Sequence, residues 1–340
     1  MSNNFDKKPG KEALYYNKSQ GQKTTCVLCP HTCHVESGKA GLCRVRKNEK
    51  GTLYTLNYGE VTSAALDPIE KKPLYHFHPG STTYSLGTYG CNFHCQFCQN
   101  WQISQGNPPT RFFTPQKAVD STLKYKKTHD CIGISFTYSE PIVWYEYVRE
   151  TAQLSQEHGL KNILVTNGFI NNKPLEELMP FIDAVNVDLK AFTPDFYQEV
   201  SGGMLEPVKE TIAQAIKHCH MEITVLLIPT LNDSKEEIEK MVDWIASIDS
   251  SIPLHFSRYQ PQYKMRIHST PPETLEMARE IAREKLSYVY IGNVSESKWC
   301  NTYCPSCGEK LIGRDGGYAD VVGLEDGNCR FCGMDIHIEF

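Results

Sequence analysis

Short apolar runs rich in β-branched residues alternate along this chain with longer segments whose apolar residues recur at helical spacing. The runs predict six or seven strands, the last being the weakest, at 82–86, 132–137, 163–166, 184–189, 223–228, 254–257 and 288–291. Helix start signals lie between them, at Thr114 before a proline, at Ser234 with Glu237 three residues on, and at Thr270. This alternation predicts a parallel sheet with helical crossovers.

The sequence favours a barrel over a dinucleotide-binding fold, because no G-x-G-x-x-G follows the first predicted strand. A length of 340 residues accommodates a barrel with smaller modules attached. The predicted fold class is α/β, a partial (β/α)6-type TIM barrel with small cysteine-rich metal-binding modules at both ends. We expect an N-terminal arm and cysteine-rich module in 1–80, the barrel in 81–295 and a zinc-ribbon or rubredoxin-like module in 296–340.

Polar residues follow the predicted strands at their carboxyl ends, where barrel enzymes place their active sites. The candidates at or near these ends are Tyr138, Ser139, Glu140, Thr166, Asn167, Asp188, Lys190, Ile228 and His255. Structural roles are alternatives for four of them: Glu140 as a helix-start acid, Asn167 as a turn residue, Ile228 as core and His255 as a hydrogen-bonded core histidine.

Fourteen cysteines, mostly in C-x2-C or C-x3-C groups, favour thiolate metal sites in a reducing compartment. We therefore expect a cytoplasmic protein. Residues 1–10 are polar, and no later stretch reaches the ~18 apolar residues that a bilayer span requires. A net charge of −5 gives no reason to expect binding to nucleic acid or to an anionic membrane.

Three of these cysteines, Cys91, Cys95 and Cys98, follow the first predicted strand in a C-x3-C-x2-C spacing. Three thiolates can hold a cubic iron–sulfur cluster and leave its fourth iron open. An open iron is what binding and reductive cleavage of S-adenosylmethionine (SAM) require. The alternative is a zinc knuckle with His94 or a distant residue as fourth ligand, which would leave the later strand-end motifs unexplained.

Four more cysteines lie near each end of the chain. Two C-x2-C-G knuckles predict a tetrathiolate site, with zinc favoured over redox iron or an auxiliary cluster, at Cys304, Cys307, Cys329 and Cys332. Cys300, just outside, is a spare thiol or a cluster ligand. Zinc and a four-cysteine cluster are equally compatible with the other group, Cys26, Cys29, Cys33 and Cys43. Between this group and the first strand, segment 65–80 is rich in ionisable residues and is expected to be a solvated connector or to line the mouth of the site.

The Gly-Cys-Asn-Phe-x-Cys loop at Cys91, with Phe97 before the last cysteine, resembles the radical SAM superfamily. With the C-x2-C-P-H-x-C group, the Asp-Pro-Ile-Glu-Lys-Lys-Pro segment and the C-terminal knuckles, the chain resembles the radical SAM component of the AmmeMemoRadiSam system, a family similar to pyruvate formate-lyase activating enzyme. The resemblance implies a [4Fe-4S] cluster and SAM as cofactors. It also implies a reductant such as flavodoxin or ferredoxin, and Memo-like and AMMECR-like partner proteins.

The resemblance further implies SAM contacts at the strand ends. Tyr138-Ser139-Glu140 corresponds to a G-G-E-like motif whose acid receives the SAM amino group, although the glycines are missing here. The remaining contacts implied are the ribose and carboxylate with Thr166, Asn167, Asp188 and Lys190, the adenine with Ile228, and a SAM-facing histidine at His255. Val165 stands where activating enzymes commonly carry an acid, so their additional cation site is not expected.

These implications describe a radical SAM enzyme of the oxidoreductase type. It would cleave SAM to a 5′-deoxyadenosyl radical and abstract hydrogen from an unidentified substrate. The first expectation is modification of RNA or another biomolecule together with partner proteins, and the second is activation of a glycyl radical enzyme. A non-catalytic iron–sulfur or zinc protein that carries electrons or binds partners is the alternative from another class.

Overall fold

The computed structural model describes residues 10–295, 297–315 and 318–340. Its strands are β1 Lys11–Glu12, β2 Tyr16–Ser19, β3 Lys23–Cys26, β4 His34–Val35, β5 Arg46–Glu49, β6 Thr52–Thr55, β7 Glu60–Val61, β8 Ser63–Pro68, β9 Thr82–Gly87, β10 Arg111–Phe112, β11 Cys131–Phe136, β12 Lys161–Thr166, β13 Ala184–Asp188, β14 His220–Leu227, β15 Leu254–Arg258, β16 Val289–Gly292, β17 Thr302–Tyr303, β18 Lys310–Asp315, β19 Tyr318–Val321, β20 Leu324–Glu325 and β21 Asn328–Cys329. The α-helices are α1 Trp101–Ser104, α2 Pro115–Lys126, α3 Tyr145–Glu157, α4 Asn172–Leu178, α5 Pro194–Phe196, α6 Leu205–Ala215, α7 Lys235–Ile248 and α8 Pro272–Arg283.

Eight strands form the central sheet, in the order β16-β15-β14-β13-β12-β11-β9-β8. Neighbours from β9 to β16 are parallel, and β8 is antiparallel to β9. All seven predicted strands are present as β9 and β11 to β16, and the predicted parallel α/β sheet is confirmed. The edge strands β8 and β16 are not paired with each other, so within the described residues the sheet is open rather than closed into a barrel.

Two of the three helix start signals read from the sequence cap their helices, whereas α8 begins at Pro272 and the Thr270 side chain donates to the Leu227 carbonyl (2.7 Å) instead. The Thr114 side chain accepts from the backbone N–H of Lys117 (3.1 Å) at the start of α2, and that of Ser234 accepts from Glu237 (3.2 Å) at the start of α7. The Glu237 carboxylate does not return to the cap but accepts from the Phe192 amide (2.6 Å), which ties α7 to the end of β13. No helix in the described part of the chain is long and apolar enough to cross a bilayer.

The segment between β8 and β9 packs against the inner face of the sheet. Its apolar side chains are buried against Ile163 and Ala184, and the Pro73 carbonyl accepts from Asn186 Nδ2 (2.8 Å). Lys72 and His76 are buried as well, with 1% and 0% exposure. The expectation of a solvated connector at 65–80 is therefore wrong, because this segment fills the space below the carboxyl ends of the strands.

The chain ends form small sheets. Strands β1 to β7 and β10 make three of them, and β17 to β21 make two. The C-terminal part packs on the lower end of the central sheet through buried Arg314, which donates to the Tyr75 carbonyl (2.6 Å) and to Thr302 Oγ1 (2.7 Å). Strand β8 belongs to the central sheet although it lies within the predicted N-terminal segment 1–80, and the boundaries themselves stay predictions.

Candidate active site

A cavity of about 600 Å³ opens at the carboxyl ends of the parallel strands, and we call it the strand-end cavity. All seven parallel strands contribute to it, either directly or through the loop that follows. Its lining includes Lys72, Cys91, Cys95, Phe97, Cys98, Tyr138, Ser139, Glu140, Val165, Thr166, Asn167, Asp188, Lys190, Thr224, Ser257 and Asn293. Residues up to about two hundred positions apart in the sequence therefore line one site, as expected for parallel strands in one sheet.

The loop after β9 presents all three of its cysteines, Cys91, Cys95 and Cys98, to this cavity. The backbone amides of His94 and Gln96 donate to carbonyls of the segment after α5 (2.8 and 3.0 Å), which fixes the loop. Within the described residues, these thiols do not belong to any group of three or more Cys, His, Asp or Glu ligand atoms lying within 4.8 Å of one another.

Glu140 is held rigidly at the cavity wall. It is 2% exposed, and it accepts from Ile142 N (2.9 Å), Thr166 Oγ1 (2.7 Å) and Asn167 N (2.8 Å). Burial raises the pKa of Glu140 to about 7, against the lowering effect of these donors. The carboxylate thus caps the short 3-10 turn that begins at Pro141 and also faces the cavity, so the structural and functional interpretations are compatible.

The two residues before Glu140 differ in backbone geometry and burial. Tyr138 has a φ of 70°, in the left-handed region that glycine favours, and its carbonyl accepts from Asn100 Nδ2 (2.7 Å). Ser139 lines the cavity, but its Oγ is buried beneath the cavity surface and has no hydrogen-bond partner among the described residues.

Asp188 and Lys190 form an ion pair in the cavity, with Lys190 Nζ 2.8 Å from Asp188 Oδ2. Burial alone would lower the pKa of Lys190, but the Asp188 carboxylate outweighs it and raises the pKa. Lys190 therefore keeps its positive charge. Nearby, Asn167 Nδ2 donates to Asn92 Oδ1 (2.9 Å) and lies 3.8 Å from the sulfur of Cys91.

Two predicted contacts, Ile228 and His255, do not line this cavity. Ile228 is fully buried, and its amide donates to Asn232 Oδ1 (2.6 Å). His255 Nε2 lies 2.6 Å from Glu222 Oε2, and the imidazole stacks on the Tyr290 ring with centroids 5.1 Å apart. His255 precedes the cavity residue Ser257 by two positions on β15, so it lies on the same face but deeper in the sheet.

The sequence reasoning gave little weight to Lys72, which reaches the cavity from the segment before β9. Lys72 Nζ is 2.7 Å from the Asp67 carboxylate and 4.8 Å from the centre of the Tyr138 ring. Burial lowers the pKa of Lys72 to about 8, although the Asp67 carboxylate opposes this shift. The sequence feature that indicates a role for Lys72 is the density of ionisable residues in 65–80.

The C-terminal cysteines form a compact group whose four sulfurs all lie within 4.8 Å of one another. Cys304 and Cys332 are 3.5 Å apart, and Cys307 and Cys329 are 3.7 Å apart. Thiolates at about 2.3 Å from a tetrahedral zinc ion stand about 3.8 Å apart, so this group could bind one metal ion. Cys300 lies outside it and donates to the Ile291 carbonyl (3.4 Å).

Comparison with known proteins identifies a superfamily domain and relatives of this chain. Residues 85–245 match the Radical SAM superfamily. An uncharacterized protein of Methanocaldococcus jannaschii is 43% identical over 337 residues, which cover 96% of this chain and 99% of that protein. A pyruvate formate-lyase-activating enzyme of Staphylococcus epidermidis is 26% identical over 179 residues, covering 49% of this chain and 70% of that enzyme.

Solved structures show the same fold. SuiB of Streptococcus suis bound to SAM superposes with a TM-score of 0.50 at 15% identity, covering 66% of this chain and 53% of that one. A radical SAM methyltransferase of Sphaerobacter thermophilus gives 0.50 at 16% identity, covering 69% and 71%. A radical SAM domain implies a [4Fe-4S] cluster and SAM, and proteins of this superfamily are generally enzymes of radical reactions. The chain therefore belongs to one family with the M. jannaschii protein and carries a radical SAM superfamily domain.

Proposed function

We propose that this protein is a radical SAM enzyme of the oxidoreductase type that removes a hydrogen atom from a macromolecular or partner-presented substrate. The observation that carries the proposal is the strand-end cavity, where three thiols of one loop face a buried carboxylate and a charged lysine. When bound at Cys91, Cys95 and Cys98, a [4Fe-4S] cluster supplies one electron for cleavage of SAM to methionine and a 5′-deoxyadenosyl radical.

The residues of the cavity have distinct tasks in this proposal. Glu140 accepts a hydrogen bond from the SAM amino group, because its carboxylate is fixed by three donors and faces the cavity. Lys190 pairs with the SAM carboxylate and shares its charge with Asp188. Ser139 contributes to the wall beside Glu140. Thr166 and Asn167 complete the wall near the cysteine loop.

The floor of the cavity supports exclusion of water. Lys72 is 1% exposed and pairs with Asp67, while the neighbouring Pro73 carbonyl is bonded to β13. At the rim, Gln99 and Asn100 are exposed, so a group presented by a large substrate can enter from outside. A closed floor and an open rim suit a radical that must meet its target before it meets solvent.

The same proposal extends to finer features of the fold and its partners. Convergence of seven strand ends on one cavity supports a partial (β/α)6-type barrel. The compact C-terminal thiol group supports structural zinc in a module near 296–340. A flavodoxin or ferredoxin as reductant, and Memo-like and AMMECR-like proteins as partners of an RNA- or biomolecule-modifying reaction, follow from the family resemblance.

A second candidate function is activation of a glycyl radical enzyme. It is favoured by the likeness to a pyruvate formate-lyase-activating enzyme of Staphylococcus aureus, which is 26% identical over 213 residues, covering 58% of this chain and 80% of that enzyme. The two candidates leave different products: an oxygen-sensitive glycyl radical on a partner protein, visible by electron paramagnetic resonance, or a modified nucleoside or metabolite that is lost when the protein is deleted.

The test of the shared chemistry is anaerobic reconstitution of the full chain with iron and sulfide, followed by SAM and dithionite. We expect 5′-deoxyadenosine and methionine in equal amounts, measured by chromatography with mass detection. Omission of dithionite is the control and should give neither product. Fully reconstituted clusters that yield no 5′-deoxyadenosine would contradict the enzyme proposal and favour an electron carrier or binding protein.

A further inference from the structure

A second cavity lies beside the first, in the N-terminal part of the chain, and we call it the N-terminal cavity. It is lined by Cys26, Leu28, Cys29, His31, Cys33, Gly41, Cys43, Arg46, Asn92, Ile142 and Val143. Cys26 and Cys43 are buried and the other two cysteines are partly exposed. The four thiols come from the end of β3, the turn that follows it and the turn before β5, so the local folding brings them around one space.

We propose that Cys26, Cys29, Cys33 and Cys43 bind a second [4Fe-4S] cluster, and not a zinc ion. The distances between sulfur atoms decide between the two. The C-terminal group has all four sulfurs within 4.8 Å of one another, whereas no three of these N-terminal sulfurs, all in the described part of the chain, meet that distance. Ligands of one zinc ion must come that close, while the thiolates of a cubic cluster bind its separate corners.

The N-terminal thiols share this property with the cysteines of the loop after β9. Cys91, Cys95 and Cys98 also fall outside the 4.8 Å criterion. The chain thus has two kinds of cysteine group. The C-terminal group is compact, with one pair of sulfurs 3.5 Å apart, whereas the other two groups are expanded and each line a cavity. The expanded kind is the one that a polynuclear cluster needs.

Arg46 provides a second, independent indication of an anionic group. Its side chain is 2% exposed, lines the N-terminal cavity and is paired with Glu146 at 3.0 Å. Its Nε is buried and has no hydrogen-bond partner among the described residues. A buried N–H donor left without a partner is costly, and a cluster sulfide or thiolate is an acceptor of suitable charge.

The N-terminal cavity shares a wall with the catalytic loop. Asn92, which follows Cys91, lines the N-terminal cavity, and its carbonyl lies 2.7 Å from His31 Nε2. Gly90 lies so close to the N-terminal group that a Cβ there would stand 2.9 Å from the Cys43 carbonyl and 2.6 Å from Val45 Cγ1. The proposed cluster is thus a neighbour of the SAM-binding one, and selective substitution is needed to tell them apart.

The test is metal analysis of the full chain after anaerobic reconstitution, with Mössbauer and electron paramagnetic resonance spectra. Two cubic clusters and one zinc ion predict about eight irons and about one zinc per chain. The triple variant Cys91→Ala/Cys95→Ala/Cys98→Ala should keep about four irons in a [4Fe-4S] cluster whose spectrum does not respond to SAM. The complementary variant Cys26→Ala/Cys43→Ala should keep about four irons that do respond.

The triple variant makes the outcome independent of the proposed function, because it carries no catalytic cluster. About four irons and about two zinc ions in the wild type would overturn the proposal. So would a folded triple variant without iron. If the Cys26→Ala/Cys43→Ala protein fails to fold, the wild-type spectrum still decides: two reduced cluster signals, of which SAM shifts only one, support the proposal, and a single signal contradicts it.

Discussion

The inner face of the central sheet is polar at two depths, and only the upper region is an open site. The upper region is the strand-end cavity. The lower one, which we call the buried network, consists of Tyr75, His76, His220, Glu222, His255, Tyr290 and Arg314. Glu222, at 0% exposure, accepts from two backbone amides at 2.7 Å and lies within 3.0 Å of two imidazole nitrogens. In contrast, the Asp188 side chain in the cavity is 38% exposed.

The comparison teaches that a concentration of ionisable residues does not identify a site, whereas access to those residues does. Two buried glutamates make the point. Burial raises the pKa of Glu140 to about 7. Burial would also raise that of Glu222, but hydrogen bonds from His220 and His255 outweigh it and hold the pKa well below its usual range. Glu140 can gain or lose a proton near neutral pH. Glu222 stays ionised and holds the backbone of Tyr75 and His76 to the sheet.

The largest effect is expected from the cysteine loop. Cys98→Ala should abolish formation of 5′-deoxyadenosine, because two thiolates do not hold a SAM-competent cluster. The matched control is Cys131→Ala, in which a buried thiol bonded to the Gly133 carbonyl is lost far from the loop. Chromatography of the reaction should show the product with the control and none with Cys98→Ala. Equal yields would mean that the cluster lies elsewhere.

A substitution in the buried network is expected to reduce the stability of the fold. Glu222→Gln should lower the free energy of unfolding by about 3 kcal/mol, since it removes the carboxylate from a buried, charged hydrogen-bond network. Because the folded-state pKa of Glu222 is lowered, its stabilisation is present above the ordinary pKa of 4.5 and is lost as the pH falls below it. Denaturant unfolding at pH 7 and at acidic pH measures both effects.

Glu339→Gln is the control for the network, because the Glu339 carboxylate is 52% exposed and lies 3.7 Å from His220 Nδ1. It should change the free energy of unfolding by less than about 0.5 kcal/mol. SAM affinity of the folded Glu222→Gln protein should stay at the wild-type value. If a folded Glu222→Gln protein binds SAM poorly, SAM binding in the strand-end cavity depends on the buried network, which would contradict the comparison.

Removing the cavity's cation should weaken SAM binding. Lys190→Met should raise the Kd for SAM about 10- to 100-fold, the cost of one charged hydrogen bond of about 1.5–3 kcal/mol. Lys161→Met is the control, since Lys161 pairs with Asp183 at 3.2 Å and does not line the cavity. Anaerobic calorimetry measures both. Similar affinities in the two variants would exclude Lys190 from the SAM site.

SAM affinity should also depend on pH through Glu140. Its pKa is raised to about 7, so protonation below that pH removes the anion that accepts the hydrogen bond from the SAM amino group. Affinity should fall about tenfold between pH 8 and pH 6, and Glu140→Gln should bind weakly at both values. Calorimetric titrations between pH 6 and pH 8 test the direction in which SAM affinity changes with pH. An affinity that rises toward pH 6 would contradict the assigned role.

The smallest effect is expected at His255, which family resemblance places next to SAM and the structure places in the buried network. His255→Gln keeps a donor for Glu222 and should change the Kd for SAM by less than about twofold. The comparison is with Lys190→Met in the same calorimetric series. A tenfold loss of affinity would show that the imidazole reaches the ligand after all.

The sequence predicts the strands and the residues at their carboxyl ends well, because alternation and strand-end polarity are local patterns. Glu140 and Lys190 line the cavity as expected. How deep a strand residue lies below the cavity cannot be predicted from local sequence. His255 lies two positions before the cavity residue Ser257 on β15, and its surroundings include Tyr75 from the segment before β9. Cysteine spacing predicts metal sites, but only folding fixes the distances between sulfurs that separate one ion from a cluster.

Hyperfine spectroscopy of the reduced protein with isotopically labelled SAM tests the central claim most directly. If the open iron of a cluster at Cys91, Cys95 and Cys98 receives SAM, electron–nuclear double resonance should show coupling to ¹⁵N of the SAM amino group and ¹⁷O of its carboxylate. The coupling should persist in Glu222→Gln and vanish in Cys98→Ala. A cluster spectrum without either coupling in the wild type would contradict the account.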